Sequence, residues 1–258
     1  MGEQLGAVSV ATESSGALTP ASTCLAAPVR VSIIIPIYNE IQHVAELLDR
    51  VLKAPLPVGC EKEVIVIDDG STDGTTQLLD SLCEKQLIKF HRTILNFGKG
   101  TALRVGIRMA TGQVILVQDG DLEYDPNEYT RLIEPILEGR AEVVYGSRFL
   151  GMVEGMRLPN LVANRVLTLL ANALYSAKIT DEATAYKVFR REVLNRVQLQ
   201  CKRFEFCPEV TAKIRKLGVP IHEVPITYRG RTIAAGKKIR WKDGISAVYT
   251  LLRYRFTR

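Results

Sequence analysis

Five strand-like runs in the first 150 residues alternate with helix-like ones, and this alternation constrains the fold more than any other feature. The runs are Val31–Ile35, Glu63–Ile67, Leu87–Thr93, Val114–Gln118 and Val143–Tyr145, and most are β-branched or aliphatic throughout. Between them, Glu40–Lys53 repeats Ile41, Val44, Leu47, Leu48 and Val51 at helical spacing. Thr75–Cys83 follows the capping residues Ser71 and Asp73, Thr101–Met109 stops at Gly112, and Pro126–Leu137 ends before Gly139. Strands without a polar face, each followed by a helix, predict a mainly parallel sheet covered on both sides. Right-handed crossovers make that a doubly wound, Rossmann-like α/β fold, with its ligands at the carboxyl ends of the strands.

Beyond residue 150 the alternation fades. Leu161–Tyr175 and Pro208–Lys216 read as helices, Ile221–Tyr228 as a strand broken by Pro225, and Asp243–Arg253 as an amphipathic helix. Residues 1–29, rich in Ala, Ser, Thr and Gly, read as a flexible leader to one domain spanning 30–258. Of the 258 residues, 24% are charged and 47% apolar, which excludes wholesale disorder. No run approaches the ~20 apolar residues of a spanning helix. The N-terminus lacks a secretory pattern, and Gly6 stands where a myristoylation signal needs Ser or Thr. Five scattered cysteines without a CxxC pair suggest reduced thiols in a cytoplasmic protein with no structural zinc.

Charge is uneven. Residues 228–258 hold nine Lys or Arg against the single acid Asp243, although the whole chain is only +6. A basic tail on a near-neutral body calls for an anionic partner or is a solvated surface. No nucleic-acid module surrounds it, so no nucleic-acid partner is expected.

The chemically distinctive residues fall where such a fold binds ligands. Asp119-Gly120-Asp121 follows the fourth strand, and Gly120 permits a turn that makes the carboxylates converge. Mg²⁺ or Mn²⁺ takes one or two such carboxylates and completes its shell with phosphate oxygens and water, and Glu123 is a further candidate ligand. Asp68 and Asp69 end the second strand, where acids accept hydrogen bonds from a ribose or a base edge. Asn96-Phe97-Gly98-Lys99-Gly100 opens a helix whose free amides favour an anion, yet it is neither a P-loop nor a dinucleotide fingerprint. Arg148, after the fifth strand, can fork onto a phosphate or form an ion pair with a carboxylate. The histidines His43, His91 and His222 show no ligand spacing and are assigned to structure.

In order along the chain, VSIIIPIYNE (31–40), VIVIDDGSTDGT (64–75), NFGKGTALRVGI (96–107), DGDLEYDP (119–126) and GSRF (146–149) resemble family 2 glycosyltransferases of the GT-A fold. The likeness is greatest to the dolichol- and polyprenyl-phosphate mannose and glucose synthases. DEATAYKVFRR (181–191) is similar to the acceptor-side segment of that family, with Lys187 in place of an arginine. The resemblance implies that Pro36, Tyr38, Glu40, Ile67 and Asp69 hold a nucleotide, with Lys99 beside the diphosphate. Asp119, Gly120 and Asp121 would serve the diphosphate and its metal, joined by Glu123. Arg148 would approach a phosphate, and Arg231 and Lys238 would lie in a basic stretch that covers the diphosphate.

The implied reaction is inverting transfer of a hexose from a nucleoside-diphosphate sugar. A polyprenyl phosphate acceptor is already an anion that Arg148, Arg165 and Lys187 can steer. A hydroxyl acceptor needs a general base, for which Asp181 is the candidate. The terminal helix 243–253 either rests on an anionic membrane surface at the cytoplasmic face or packs on the core. A sugar-nucleotide nucleotidyltransferase is the more distant reading. It expects a Gly-rich basic loop where Pro36-Ile37-Tyr38-Asn39-Glu40 stands.

Overall fold

Strand β1, Val29–Ile37, is buried on both sides because its alternate residues enter different cores. The computed structural model describes residues 1–2, 27–85, 87–231 and 241–257. Val31, Ile33, Ile35 and Ile37 face one apolar cluster, while Ile34 faces the other. This two-sided burial is why the run carries no polar alternation. Parallel partners flank it: β2 (Cys60–Asp68), with β3 (Lys89–Arg92) beyond, and β4 (Val114–Val117) on the other side. The full order of the seven strands is β3-β2-β1-β4-β6-β5-β7, where β5 is Val143–Glu154, β6 is Lys187–Arg190 and β7 is His222–Arg229.

Helices α1 (Val44–Lys53), α2 (Thr75–Glu84) and α4 (Tyr129–Leu137) cover one face, the last entered through a 3-10 turn at Pro126–Glu128. Helices α3 (Lys99–Met109), α5 (Leu158–Tyr175), α7 (Phe206–Lys216) and α8 (Trp241–Phe256) cover the other, with the short α6 at Arg191–Asn195. The fold is the mixed α/β, GT-A-like arrangement expected, with a helical C-terminal region.

Two details differ from the sequence reading, and one of its open alternatives is decided. Strand β6 was not foreseen, and it runs antiparallel to both β4 and β5. Four residues, Lys-Val-Phe-Arg, leave no period to detect. Strand β7 passes through Pro225 unbroken, because it is an edge strand and a proline there forfeits no ladder bond on its open side. Helix α8 does pack on the core, through Ala247, Thr250, Leu251 and Tyr254, and the Tyr175 hydroxyl donates to the Leu251 carbonyl at 2.6 Å. The expected leader falls mostly outside the described residues.

The outer faces of α5 and α8 carry a further feature, which the sequence reading offers for α8 but not for α5. Leu158, Val162, Val166 and Leu169 on α5 are exposed, as are Trp241, Ile245, Tyr249, Leu252 and Phe256 on α8. Each set recurs at intervals of three or four, so each helix presents an apolar stripe away from the core. The two helices pack against each other. No helix among the described residues is long and apolar enough to cross a membrane.

Candidate active site

The carboxyl ends of β1, β2 and β4 converge as the sheet order requires. The amide of Asp69 donates to the Ile37 carbonyl at 2.8 Å and that of Gln118 to the Ile34 carbonyl at 3.0 Å. The Asp119-Gly120-Asp121 turn lies directly on the end of β1: a Cβ built at Gly120 would sit 2.7 Å from the Pro36 carbonyl oxygen. Gly120 is therefore required for space rather than for an unusual backbone angle, which corrects the sequence argument. Behind the turn, Gln118 is fully buried, and its side-chain oxygen accepts from the hydroxyls of Tyr129 (2.7 Å) and Tyr186 (2.8 Å). Tyr124 packs tilted against Tyr186 with centroids 4.7 Å apart and edge-on to Tyr228 at 5.4 Å, forming an aromatic floor. Neither the Gln118 clamp nor this floor has a sequence signal, because its members are up to 104 residues apart and share no period.

Two basic side chains enter the acidic cluster. The Lys99 ammonium binds Asp119. The Arg231 guanidinium donates to Asp121 Oδ2 at 2.8 Å and to Glu40 Oε2 at 3.1 Å. Glu123 accepts from the Arg231 backbone amide at 2.8 Å and the Tyr228 hydroxyl at 2.7 Å, and its amide donates to Asp121 Oδ1 at 3.0 Å. Burial, reinforced by Asp119 and Glu123 and opposed by Arg231, pushes Asp121 up to about 7. Burial opposes the charge on Lys99, yet Asp119 and Asp121 outweigh it and raise that ammonium above its ordinary value.

Among the described residues no three acidic, His or Cys side chains converge closely enough to hold a metal unaided. A cation arriving with a diphosphate needs only one or two carboxylates. Asp119 and Asp121 fit that requirement, and the cations now seated on them show that the cluster attracts positive charge. The elevated Asp121 also has a stability signature. Below about pH 4, the ordinary value of an unfolded aspartate, both states are protonated; between there and about 7 only the folded state is. The contribution of Asp121 to the stability of the metal-free protein is therefore expected to fall across that window by up to about 1.4 kcal/mol per pH unit and to level off above it. Thermal melts of Asp121→Asn should show a shallower slope across it, and a slope identical to that of the parent protein would refute the assignment.

The loop before α3 is not an open anion site. The amides of Phe97 and Gly98 donate to Asp69 at 2.9 and 2.6 Å, while those of Gly100 and Thr101 donate to the carbonyls of Arg203 and Lys202 at 2.8 and 2.9 Å. Gly98 has φ +98°, and a Cβ there would meet the Lys202 carbonyl at 2.5 Å. The sequence reading of free helix amides is thus corrected: they are already bonded. Pro36 and Ile67 have buried side chains, so what they offer a ligand is backbone; Tyr38 is half-buried. Lys238 lies outside the described residues.

Arg148 and Asp181 form one unit. Arg148 Nε and Nη2 donate to the two Asp181 oxygens, each at 2.7 Å, and the Arg148 amide adds a bond of 3.0 Å. Asp181 is fully buried and Arg148 nearly so, with its guanidinium 5.1 Å from the Tyr228 ring centroid. Of the two sequence options for Arg148, phosphate fork or ion pair, the described arrangement is the ion pair. Lys187 is also fully buried, with its ammonium donating to the Glu182 carbonyl at 2.8 Å and lying 3.6 Å from the Tyr145 centroid. It does not present a charge to solvent as expected. Arg165 does: it is exposed, and its guanidinium lies 4.0 Å from the Phe149 centroid.

Comparison with known families decides the class. Residues 32–198 match the family described as Glycosyl transferase family 2. The chain belongs to that family. This glycosyltransferase is 32% identical over 221 residues to the undecaprenyl-phosphate mannosyltransferase of Micrococcus luteus, covering 81% of this chain and 87% of that protein. It is 30% identical over 236 residues to the dolichol-phosphate mannosyltransferase of Pyrococcus furiosus, covering 87% of this chain but only 64% of that longer protein. Among solved structures, the glycosyltransferase resembles the glucosyl-3-phosphoglycerate synthase of Mycobacterium tuberculosis, solved in complex with Mn²⁺ and uridine-diphosphate-glucose. The TM-score is 0.66 at 20% identity, covering 88% of this chain and 79% of that one.

Proposed function

We propose that this glycosyltransferase moves a hexose, with inversion, from a nucleoside-diphosphate sugar to a polyprenyl phosphate at a membrane surface. One observation carries the acceptor choice: the candidate base, Asp181, has both oxygens held by Arg148 in a buried bidentate pair. A hydroxyl acceptor needs a base within reach, whereas a phosphate oxygen attacks without losing a proton. The acceptor oxygen forms a bond to the anomeric carbon as the bond to the diphosphate breaks on the opposite face, and that electron pair leaves with the diphosphate. Mg²⁺ or Mn²⁺, held by Asp119 and Asp121, supplies charge neutralisation to the diphosphate. Pro36, Tyr38, Glu40, Ile67 and Asp69 border the nucleotide, with Lys99, Gly120 and Arg231 on the diphosphate side. Arg165, exposed on α5 beside its apolar stripe with its guanidinium over Phe149, receives the acceptor phosphate.

The membrane reading is supported by the exposed apolar stripes on the neighbouring helices α5 and α8 and by the exposed cations on the same helices and at their ends, Arg157, Arg165, Lys242, Arg253 and Arg255. Exposed aromatic and aliphatic side chains rimmed by cations suit an interface with anionic lipid.

Nucleoside-diphosphate release from UDP-glucose and GDP-mannose, measured with Mn²⁺ or Mg²⁺, tests the reaction. Release should depend on polyprenyl phosphate, and Arg165→Ala should raise KM for it with little change for the donor. Release driven equally by a hydroxyl acceptor alone would replace this reading with the hydroxyl one. For the surface, the paired change Val166→Glu and Tyr249→Glu should abolish co-sedimentation with phosphatidylglycerol vesicles. Both positions are exposed, so the melting temperature should stay put.

A further inference from the structure

Arg231 sits among carboxylates that the proposed function assigns to a divalent cation. Its guanidinium binds Asp121 Oδ2 at 2.8 Å and Glu40 Oε2 at 3.1 Å, and its Nε lies 3.9 Å from Glu123 Oε1. Those three acids come from the ends of β1 and β4, so a residue about 110 positions later bridges both strand ends with one planar charge. The cluster is largely sheltered from solvent: the side chains of Arg231, Glu40, Asp121 and Glu123 are 12%, 8%, 14% and 10% exposed. A metal ion with bound oxygens cannot share Asp121 Oδ2 with a guanidinium at hydrogen-bond distance, because the two cations repel and contend for the same lone pairs.

We infer that Arg231 is an internal cation that holds the place of the divalent ion while no nucleotide is bound, so that metal and nucleoside diphosphate enter as a pair. The inference rests on the metal-site reading above. Displacement needs only the side chain to move. The Arg231 amide is fixed separately on Glu123 Oε1 at 2.8 Å, and the neighbouring Arg229 amide donates to the Glu123 carbonyl at 3.0 Å. The backbone therefore stays docked on the Asp119–Glu123 segment while the guanidinium is exchanged for the metal. A released guanidinium requires another anion, and a diphosphate arriving with the metal provides one that it can grip with two parallel bonds. A metal ion alone provides none. In the parent protein the divalent ion therefore binds weakly by itself and tightly with nucleotide.

The test is Mn²⁺ binding, followed by the loss of the free-ion electron paramagnetic resonance signal, with no sugar or acceptor present. Arg231→Gln should bind Mn²⁺ alone at least ten-fold more tightly than the parent protein. Added UDP or GDP should then improve Mn²⁺ affinity far less in the variant. Arg231→Lys, which keeps a cation but loses the fork, should fall between them and serves as the comparison if the glutamine variant melts early. Equal or weaker Mn²⁺ binding by both variants overturns the role given to Arg231, even if the parent takes up Mn²⁺ with nucleotide. No Mn²⁺ uptake by any form, with or without nucleotide, overturns both this inference and the metal site beneath it.

Discussion

Asp181→Ala is expected to cost the fold about 3–5 kcal/mol, because it strands a buried guanidinium. Arg148 gives three of its donors to Asp181, counting its amide, and neither side chain reaches open solvent. In a chain of this length each kcal/mol moves the melting temperature by about 2–4 °C, so calorimetry should record a fall of roughly 6–20 °C. Asp181→Asn keeps the shape but not the charge and should lie between alanine and the parent. The paired replacement Arg148→Met with Asp181→Leu removes both charges together and should be far milder than Asp181→Ala alone. An Asp181→Ala protein that melts normally yet fails to transfer sugar would show instead that this carboxylate acts on substrate.

Asp121→Ala is expected to show the opposite pattern, with transfer down about 10²–10³-fold on a sound fold. Asp121 is pushed up to about 7 by burial beside Asp119 and Glu123. At neutral pH its ionised form opposes folding, so removing it relieves repulsion even as it forfeits the contact with Arg231. Circular dichroism and melting near pH 7.5 should match or slightly exceed the parent. Nucleoside-diphosphate release in saturating Mn²⁺ reads the catalytic loss, and a variant within five-fold of the parent would remove Asp121 from the metal site.

Much of the architecture could be read from local pattern because its cause is local. Strands β1, β2 and β4 are buried on two sides, so Val31–Ile35, Val64–Ile67 and Val114–Val117 announce themselves by lacking polar alternation. The carboxylates at their ends followed from the direction of a parallel sheet. What escaped is pairing between distant segments. Arg148 and Asp181 were both marked as chemically important, but nothing in two residues 33 apart says that they neutralise each other. Lys187 reads as a cation that can steer an acceptor phosphate, and only its packing under Tyr145 and against the Glu182 carbonyl reveals its burial. The Lys99–Asp119 and Arg231–Asp121 pairs depend on strand order: the first on β4 lying beside β1, the second on β7 lying beyond β5 and β6, with β6 entering between β4 and β5. That strand was invisible because four residues do not define a period.

The reversed direction of β6 separates two tasks along the chain. Strands β5 and β6 are antiparallel neighbours, with Tyr145 opposite Lys187. β5 runs on beside β7 as far as Glu154, so residues 155–186 form an excursion that leaves the sheet after β5 and returns to it at β6. It includes α5 with its outward apolar stripe and Arg165, and the Arg148–Asp181 pair fastens its returning end to β5. The acidic turn and the strand ends beside it belong to the scaffold outside this excursion. A chimaera that exchanges the whole excursion between relatives, both members of the fastening pair included, should change which acceptor is glycosylated while the sugar donor stays the same.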